Sequence, residues 1–595
     1  MSKLCLALVP LALVVGLRPA HADEGMWTFN SFPTARVATK YKFTPDARWL
    51  DHVRLSSARI AGGCSASFVS GQGLVLTNHH CAHECIEQVS SAQKDYVKNG
   101  FYARTPADEL KCPAIELNQL VEISDVTARI SKATKGLADK KYNDALKAEM
   151  TRIEKECQTS ARFRCDVVTL YHGGAYNLYK YRRFQDVRLV FAPEFAIAFF
   201  GGDPDNFMFP RYDLDMSFLR VYEDGKPAAT PEHFAWSPAG AKDGELTFVT
   251  GHPGGTSRHI TIAELEYQRD HALPDRLFRI AEWRGILTEF QRRGPEQMRV
   301  SNELLFSLEN GFKALKGRLD ALQDKPFFAS KVAEEQAVRA AIAKDPAKQK
   351  AYGGAFDAIA KAQARLKEIR IPYRQIEIGQ AFASTYFDFA RTLVRGAEER
   401  AKPNEKRLRE YRESALPAVQ QQLMSAAPIH DDLEIVNLSF SLSKMRELLG
   451  ADHPFVRKVL GKQSPEELAA RLVKGTKLRD LAVRKQLWDG GKAAVAASQD
   501  PFIQLVRVVD PDARALRKTV EDQIDPVFKK NHELLAKARL EIEGMGNYPD
   551  ATFTLRLSYG QVKGYKSNGR FTKPFTDLAG AFARDTGRAP FALPP

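Results

Sequence analysis

The chain has 595 residues, which is too long for a single hydrophobic core, so we expect two or more domains. With 44% hydrophobic and 27% charged residues, its composition is that of a globular protein. The net charge of +14 does not by itself indicate a nucleic-acid partner. Basic residues alternate with acids along helical stretches and form no compact basic and aromatic motif, so we predict no nucleic-acid binding.

The first 22 residues have the pattern of a secretory signal peptide. Lys3 supplies the positive charge, residues 4–17 form an apolar run that is short for a bilayer, and Ala20-His21-Ala22 is a small-x-small cleavage site. We therefore expect the mature chain to start at Asp23 and to be exported to the periplasm or the extracellular space. No later segment is apolar enough for a transmembrane helix, so we predict no membrane anchor.

Export to an oxidising compartment predicts that the cysteines form disulfides. Cys5 belongs to the signal peptide, and six cysteines remain in the first third of the mature chain. Six cysteines allow fifteen pairings, among which the sequence does not decide. We predict the nearest-neighbour pairs, each stabilising the fold by about 2–4 kcal/mol. These pairs are Cys64–Cys81, Cys85–Cys112 and Cys157–Cys165.

Two short strands, predicted at 67–70 and 74–77 around a glycine-rich turn, precede the first candidate catalytic residue. His80 and Cys81 follow the second strand closely. Trypsin-like serine proteases place their general base in this way, before a cysteine that pairs with one on the neighbouring strand. This similarity predicts His80 as a general base and a Cys64–Cys81 disulfide across the strand pair.

A metal site is an alternative interpretation of the same stretch, because three histidines and two cysteines lie close together in it. Zinc sites usually take their ligands as spaced pairs separated by a longer loop, and no second cluster of that kind follows in the chain. A histidine at a strand end is also often an ordinary polar residue. We therefore predict neither a metal nor a cofactor. The residues concerned are His79, His80, Cys81, His83 and Cys85.

A second informative stretch, residues 199–222, combines a Gly/Pro/Asp loop with a strand. In trypsin-like enzymes, the acid that orients the base lies where such a strand begins, and it holds the imidazole tautomer and stabilises the imidazolium. Asp213 and Asp215 are the two candidates. We predict Asp215, because the alternating apolar pattern starts directly from it, and we expect its carboxylate to touch His80.

The residue pattern in the remainder of the chain predicts a helical block inserted into a β domain. A helical pattern rich in Ala, Leu, Glu, Lys, Arg and Gln follows the strand at 246–250, and strand chemistry resumes at 551–560. We therefore divide the chain into a signal peptide (1–22), a β domain (23–258), an inserted all-α domain (259–545) and a return to the β domain (546–595).

Four separated motifs resemble, in the same order, the bacterial dipeptidyl peptidase 7 and 11 family. They are the segment 77–81, the block 201–222, Gly251-His252-Pro253-Gly254 and the block 549–565. The resemblance implies an α+β multidomain fold, in which a chymotrypsin-like double β-barrel carries a large all-α domain that caps the cleft. It further implies an exported serine exopeptidase that removes dipeptides from free N-termini of peptides and is a homodimer in its full-length form.

The resemblance extends to individual residues of the site. His80 matches the general base, Asp215 the acid, and Asn206 the asparagine that binds the α-amino group of the substrate. Phe207 stands where many members carry Trp, which keeps an aromatic wall but loses the indole N–H. Asn310 resembles a second amine-binding asparagine. We expect Asn206 and Asn310 to face one another across a cleft near His80, because a terminal ammonium needs acceptors.

The resemblance also implies a motif that the sequence does not contain. The nucleophile of the family is a serine in a Gly-Asn-Ser-Gly-Ser-Pro-like turn, downstream of the block 549–565, and backbone N–H groups of this turn build the oxyanion hole. We therefore expect the serine beyond residue 595 and an incomplete second barrel. On this expectation, the chain as given is inactive and exposes apolar surface near its end.

Two other functions compete with the peptidase. One is a catalytically inactive protein that keeps the protease fold or is a truncated homologue, and serves in binding. The other, from a different class, is a scaffold that uses the long basic helices. A contact between His80 and Asp215 would favour the first two functions over the scaffold.

Overall fold

The fold is that of a computed structural model, which describes residues 23–544, 548–567 and 569–594. The predicted signal peptide lies outside the described residues. The described chain mixes strands and helices, with most strands before residue 252 and an almost entirely helical block between residues 262 and 543. No helix among the described residues combines the length and the apolar character that crossing a bilayer requires.

The strands carry labels in chain order. They are β1 (Ser57–Ile60), β2 (Cys64–Phe68), β3 (Leu74–Thr77), β4 (Phe101–Tyr102), β5 (Leu110–Lys111), β6 (Leu117–Asp125), β7 (Phe163–Leu170), β8 (Ala175–Phe184), β9 (Asp186–Ala192), β10 (Ser217–Glu223), β11 (Lys226–Pro227), β12 (Leu246–Gly251), β13 (Arg556–Gln561), β14 (Tyr565–Ser567) and β15 (Arg570–Thr572).

The α-helices divide into three groups along the chain. Those among the strands are α1 (Thr34–Tyr41), α2 (Ala47–Ser56), α3 (His79–Gln88), α4 (Tyr96–Asn99), α5 (Thr127–Thr134), α6 (Asp139–Cys157), α7 (Phe195–Ala198) and α8 (Gly202–Asp205). The helical block contains α9 (Ile262–Tyr267), α10 (Leu273–Gln291), α11 (Pro295–Gln323), α12 (Lys325–Ala343), α13 (Pro346–Tyr352), α14 (Ala355–Pro372), α15 (Thr385–Glu399), α16 (Leu416–Leu423), α17 (Asp431–Leu449), α18 (Pro454–Leu460), α19 (Pro465–Gly475), α20 (Leu481–Ala497), α21 (Pro501–Thr519) and α22 (Asp525–Glu543). A last helix, α23 (Leu578–Arg584), follows the final strand pair.

The main sheet is antiparallel and has the order β4-β9-β10-β3-β2-β1-β6-β8-β7, with β11 on β10 and β5 on β9. This order is an open path, because no hydrogen-bonded ladder joins β4 to β7 among the described residues. A closed barrel is therefore not confirmed, and the double β-barrel stays a prediction. The strand predicted at 67–70 is β2, and it begins earlier, at Cys64, because β1 pairs with it from Ile60 back to Ser57.

The interior face of this sheet forms a hydrophobic core beneath the candidate site. Alternate residues of β3 and β10 point inward, and Val75, Leu219 and Val221 are fully buried together with Phe68 and Leu189. Burying such side chains on one face fixes the strand register, because a slip by one residue would turn every apolar side chain outward. The ends of β3 and β10 are therefore held in a defined position.

A second, two-stranded sheet brings distant parts of the chain together. β12 pairs with β13 from Leu246 opposite Gln561 to Gly251 opposite Arg556. The chain thus leaves the strand region at β12, forms the whole helical block, and returns to pair with the strand that it left. This pairing favours an inserted helical domain, although the domain boundaries stay predictions.

The six cysteines form the three predicted disulfides, Cys64–Cys81, Cys85–Cys112 and Cys157–Cys165. The first two fasten α3, because Cys81 and Cys85 both lie on this helix. Disulfides form and persist in oxidising compartments, so the pairing fits the periplasm or the extracellular space.

Apolar side chains are exposed near the end of the chain, in the region where the sequence predicts an exposed apolar surface. Phe571, Leu578 and Phe582 are 63%, 68% and 64% exposed. They follow β14 and β15, which pair only with one another among the described residues.

Asp550 anchors the segment that returns from the helical block. Its carboxylate accepts hydrogen bonds from the hydroxyl of Thr256, at 2.6 Å, and from the backbone N–H of Arg258, at 2.9 Å. Nε2 of His172 lies 2.8 Å from the other carboxylate oxygen. Burial by itself would raise the pKa of Asp550, but these partners outweigh it and lower the pKa to about 2.

We expect Asp550→Asn to lower the free energy of unfolding at pH 7 by about 2 kcal/mol, since a shift of about two pKa units has this size. The folded pKa is below the ordinary value, so the stabilisation is present above about pH 4 and is lost as the pH falls towards 2. Urea unfolding at several pH values measures it. Asp243→Asn, at an exposed position, is the control. A deficit in Asp550→Asn that is as large at pH 2.5 as at pH 7 would contradict the assignment.

Candidate active site

His80 and Asp215 are in contact, as the sequence predicts. His80 is the second residue of α3, directly after β3, and Asp215 lies two residues before β10. Nδ1 of His80 lies 2.7 Å from Oδ2 of Asp215, and the backbone N–H of His80 donates to Oδ1 at 3.0 Å. The side-chain amide of Asn78 donates to Oδ2 at 3.1 Å. The carboxylate thus holds the histidine by both its ring and its backbone.

The environment of Asp215 keeps this carboxylate charged. Burial would raise its pKa, but the hydrogen bonds and the charge of His80 together lower the pKa below its ordinary value. An ionised Asp215 accepts the Nδ1 proton of His80, so the Nε2 atom is the one left to take up a further proton. The His80 side chain is 48% exposed, whereas that of Asp215 is only 25% exposed.

His79 and His83 form a buried layer behind the pair. Both lie on α3 and are 1% and 3% exposed. Burial, and after it the neighbouring His83, lowers the pKa of His79 to about 3, so this residue is neutral at physiological pH. Nδ1 of His83 contacts a carboxylate oxygen of Glu303 on α11. This contact joins the helix that carries His80 to the helical block.

Asn206 and Asn310 meet close to this layer. Nδ2 of Asn206 donates to Oδ1 of Asn310 at 3.1 Å. Asn206 follows α8 in the loop region, and Asn310 lies in the middle of α11, so the hydrogen bond connects the two parts of the chain that we expected to face each other. The structure thus brings both predicted asparagines together.

A single cavity of about 120 Å³ collects most of the predicted site residues. His80 and Asp215 line it together with both asparagines. The rest of the lining consists of aromatic rings, one alanine and further polar groups, which are His79, His83, Phe195, Ala198, Phe199, Arg211 and Phe306. The Phe199 and Phe306 rings are in edge contact, with centroids 4.6 Å apart, so the helical block supplies one wall.

Phe207 does not line this cavity. It is 62% exposed and lies in a separate groove with Met208, Phe209 and Tyr565. Its φ of 66° places a bulky residue in the left-handed region, which is unusual and is more common at functional sites than elsewhere. Its predicted substrate contact stays a prediction, and the rings around the cavity belong to Phe195, Phe199 and Phe306 instead.

The proximity of two cysteines to His80 does not create a zinc site. Ligand atoms of Cys64, His80 and Cys81 lie within 4.8 Å of one another. The two sulfurs are bonded to each other in a disulfide, and zinc is bound by thiolates rather than by disulfide sulfur. His80 is then the only member of the group with a free ligand atom.

The model of the family described as Peptidase S46 matches residues 22–595. The chain belongs to the peptidase S46 family. It is 29% identical to an Asp/Glu-specific dipeptidyl-peptidase of Shewanella putrefaciens, in a match that covers 98% of this chain and 82% of the relative. It is 28% identical to a dipeptidyl-peptidase 7 of Porphyromonas endodontalis, with 100% and 74% covered.

A similar solved structure is that of Porphyromonas endodontalis DPP11 in complex with the dipeptide Arg-Glu. The TM-score is 0.74 at 23% identity, and the match covers 96% of this chain and 85% of that chain. The likeness shows that this S46 peptidase shares the fold of that protein.

The sequence of this S46 chain does not lead us to expect Glu303, Phe306 or Arg211 at the site. The first two could be found by spacing, because positions 303, 306 and 310 recur at i, i+3 and i+7 and so share one face of α11 with Asn310. Arg211 has no such signal. It lies in an irregular loop, where neither helical nor strand periodicity predicts the direction of a side chain.

In this S46 peptidase, we expect Glu303→Ala to lower the free energy of unfolding by about 1–3 kcal/mol, because it leaves a buried donor of His83 without a partner. Thermal or urea unfolding measures the change. Glu296→Ala is the matched control on the same helix, because Glu296 is 49% exposed and pairs with Arg299 at the surface. Such pairs contribute about 0–1 kcal/mol. Equal losses in the two variants would refute a special role for the His83–Glu303 contact.

Proposed function

We propose that this S46 chain belongs to an exported dipeptidyl peptidase, which removes dipeptides from the free N-termini of peptides. One observation carries the proposal, namely that a histidine in contact with an aspartate lines the same small cavity as a pair of asparagines. The names of relatives from three bacteria support it, because all describe dipeptidyl-peptidases. A helical scaffold would not need a half-buried carboxylate in contact with a histidine.

In the proposed mechanism, His80 is the general base and Asp215 orients it. Asp215 accepts the proton on Nδ1, which fixes the tautomer, and Nε2 takes the proton from the attacking hydroxyl. The imidazolium that forms is stabilised by the Asp215 carboxylate at 2.7 Å. His79 does not serve this purpose, because it is buried and its Nε2 has no hydrogen-bond partner in the described chain.

Asn206 and Asn310 are proposed to bind the terminal ammonium of the substrate. An ammonium has three donors and no acceptor, so it needs oxygen or nitrogen lone pairs around it. The two side-chain amides supply oxygens, and Asp215 adds a negative charge to the same cavity. Phe306 and α11 supply a wall on one side of the cavity, and we propose that this wall limits how far a peptide extends beyond its amino group.

Three further expectations belong to this proposal. Export with removal of residues 1–22 fits the three disulfides. The division into a β domain (23–258), a helical cap (259–545) and a returning segment (546–595) fits the β12–β13 pairing. A homodimer of the full-length protein follows from the family resemblance.

We expect Asn206→Ala in the full-length enzyme to raise KM for peptides with a free N-terminus and to lower kcat/KM by about tenfold or more, since a hydrogen bond to a charged group is lost. A fluorogenic dipeptidyl substrate measures both constants. Asn99→Ala, at an exposed position on α4, is the control and should leave them unchanged. If the wild-type enzyme cleaves N-acetylated peptides equally well, the asparagines do not bind the amine.

Within the described residues, no serine hydroxyl is hydrogen-bonded to His80. On the family resemblance alone, we propose that the nucleophilic serine lies outside them. A fluorophosphonate should accordingly label no serine of the 595-residue chain in a His80-dependent manner. Mass spectrometry of the treated wild-type chain and of His80→Ala tests this expectation. A labelled serine that loses its label in His80→Ala would reveal a nucleophile within the chain.

A further inference from the structure

A positively charged side chain also lines the cavity that is proposed to bind an ammonium. Arg211 lines it beside Asn206 and Asn310, and its side chain is only 21% exposed. A guanidinium is always charged and donates hydrogen bonds without accepting any. The Arg211 guanidinium repels an ammonium, so Arg211 has to have a role other than direct contact with the substrate ammonium.

The charge of Arg211 is balanced within the same loop. Its Nε lies 2.6 Å from Oδ2 of Asp213, whose side chain is 13% exposed. The guanidinium carbon also lies 5.2 Å from the centre of the Phe199 ring. The ion pair with the carboxylate and the contact with the aromatic ring restrict where the guanidinium can lie, and so restrict the directions of its N–H groups.

One N–H group of the guanidinium donates a hydrogen bond to Asn206. Nη1 of Arg211 donates to Oδ1 of Asn206 at 3.2 Å, while Nδ2 of Asn206 donates to Asn310 at 3.1 Å. The oxygen and nitrogen of a carboxamide have nearly the same shape, so its orientation is decided by its partners. Because Arg211 only donates, the atom that faces it has to be the oxygen. The nitrogen is therefore turned towards Asn310.

We propose that Arg211, held by Asp213, is a positioning residue that fixes the orientation of the Asn206 carboxamide in the amine site. The inference rests on the proposed function and deepens it. With this orientation, the Asn206 and Asn310 oxygens each keep one lone pair that can accept from the substrate ammonium. Without Arg211, the carboxamide is free to rotate by half a turn and to present N–H groups, which repel the ammonium.

The test compares Arg211→Met with the wild-type chain by calorimetry. The probes are the free dipeptides Arg-Glu, Leu-Leu and Gly-Ala, of which the tightest binder is chosen. Its N-acetyl derivative and its analogue with a hydroxyl in place of the α-amino group are then measured. A hydroxyl both donates and accepts, so it tolerates either orientation of Asn206.

We expect Arg211→Met to bind the free dipeptide about tenfold more weakly and the hydroxyl analogue nearly as well as the wild type does, so that the preference for amine falls. Arg211→Lys should resemble Arg211→Met, because a single ammonium cannot hold both Asp213 and Asn206 in a fixed geometry. The ratio of the two affinities separates positioning from a general loss of structure, which would weaken both ligands alike.

Arg188→Met is the matched control. Arg188 also pairs with the aspartate two residues away, Asp186, at 3.0 Å, and lies over an aromatic ring, that of Tyr222. Its side chain is 25% exposed, but it lies on β9 and does not line the cavity. This variant should keep the wild-type preference for the amine.

The outcomes separate the two proposals. An unchanged preference for amine over hydroxyl in Arg211→Met overturns the positioning role and leaves the proposed function intact. A wild-type chain that binds none of the dipeptides, or binds the N-acetyl form equally well, overturns the amine site itself, and the positioning role with it.

Discussion

The candidate site depends on the register between β3 and β10. Thr77 pairs with Ser217, so the residues that follow β3 and those that precede β10 lie at the same end of an antiparallel pair. His80 comes three residues after Thr77 and Asp215 two residues before Ser217, which is why a histidine and an aspartate 135 positions apart meet at 2.7 Å. The buried side chains of both strands fix this register, because a slip would expose them.

The other half of the site comes from one helix of the inserted block. The face of α11 that carries Glu303, Phe306 and Asn310 contacts three different partners across the cavity, namely His83, Phe199 and Asn206. A contact between a histidine and a carboxyl group, a ring contact and an amide hydrogen bond constrain the helix in different directions. The rigid placement of the asparagine pair therefore follows from several weak contacts rather than from one strong one.

Local patterns in the sequence predict those site residues that lie directly beside a strand with a regular apolar pattern. His80, Asp215 and the pairing of Cys64 with Cys81 follow from residues next to strands, and the structure brings each pair together. The asparagines require the family resemblance, since without it Asn206 has only the features of a turn residue.

The features that the sequence does not predict depend on contacts between distant segments or on irregular loops. Whether the sheet closes depends on hydrogen bonds between its first and last strands, which no local pattern encodes. The direction of Phe207 depends on a left-handed backbone in a loop, and sequence periodicity carries no information about it. The position of the Arg211 side chain is not predicted for the same reason, although the sequence offers the nearby Asp213 as an alternative candidate for the acid.

Asp213 and Asp215 lie close together in sequence, but their surroundings shift their pKa values in opposite directions. Asp215 is paired with His80 and its pKa is lowered, whereas burial raises the pKa of Asp213, with Arg211 opposing the rise and Asp215 adding to it. As the pH falls, Asp213 therefore takes up a proton before Asp215 does. Acid thus first weakens the contact between Asp213 and Arg211, and only later the contact between Asp215 and His80. If Arg211 positions Asn206 as proposed, the proposed amine site is accordingly more sensitive to acid than the contact between Asp215 and His80.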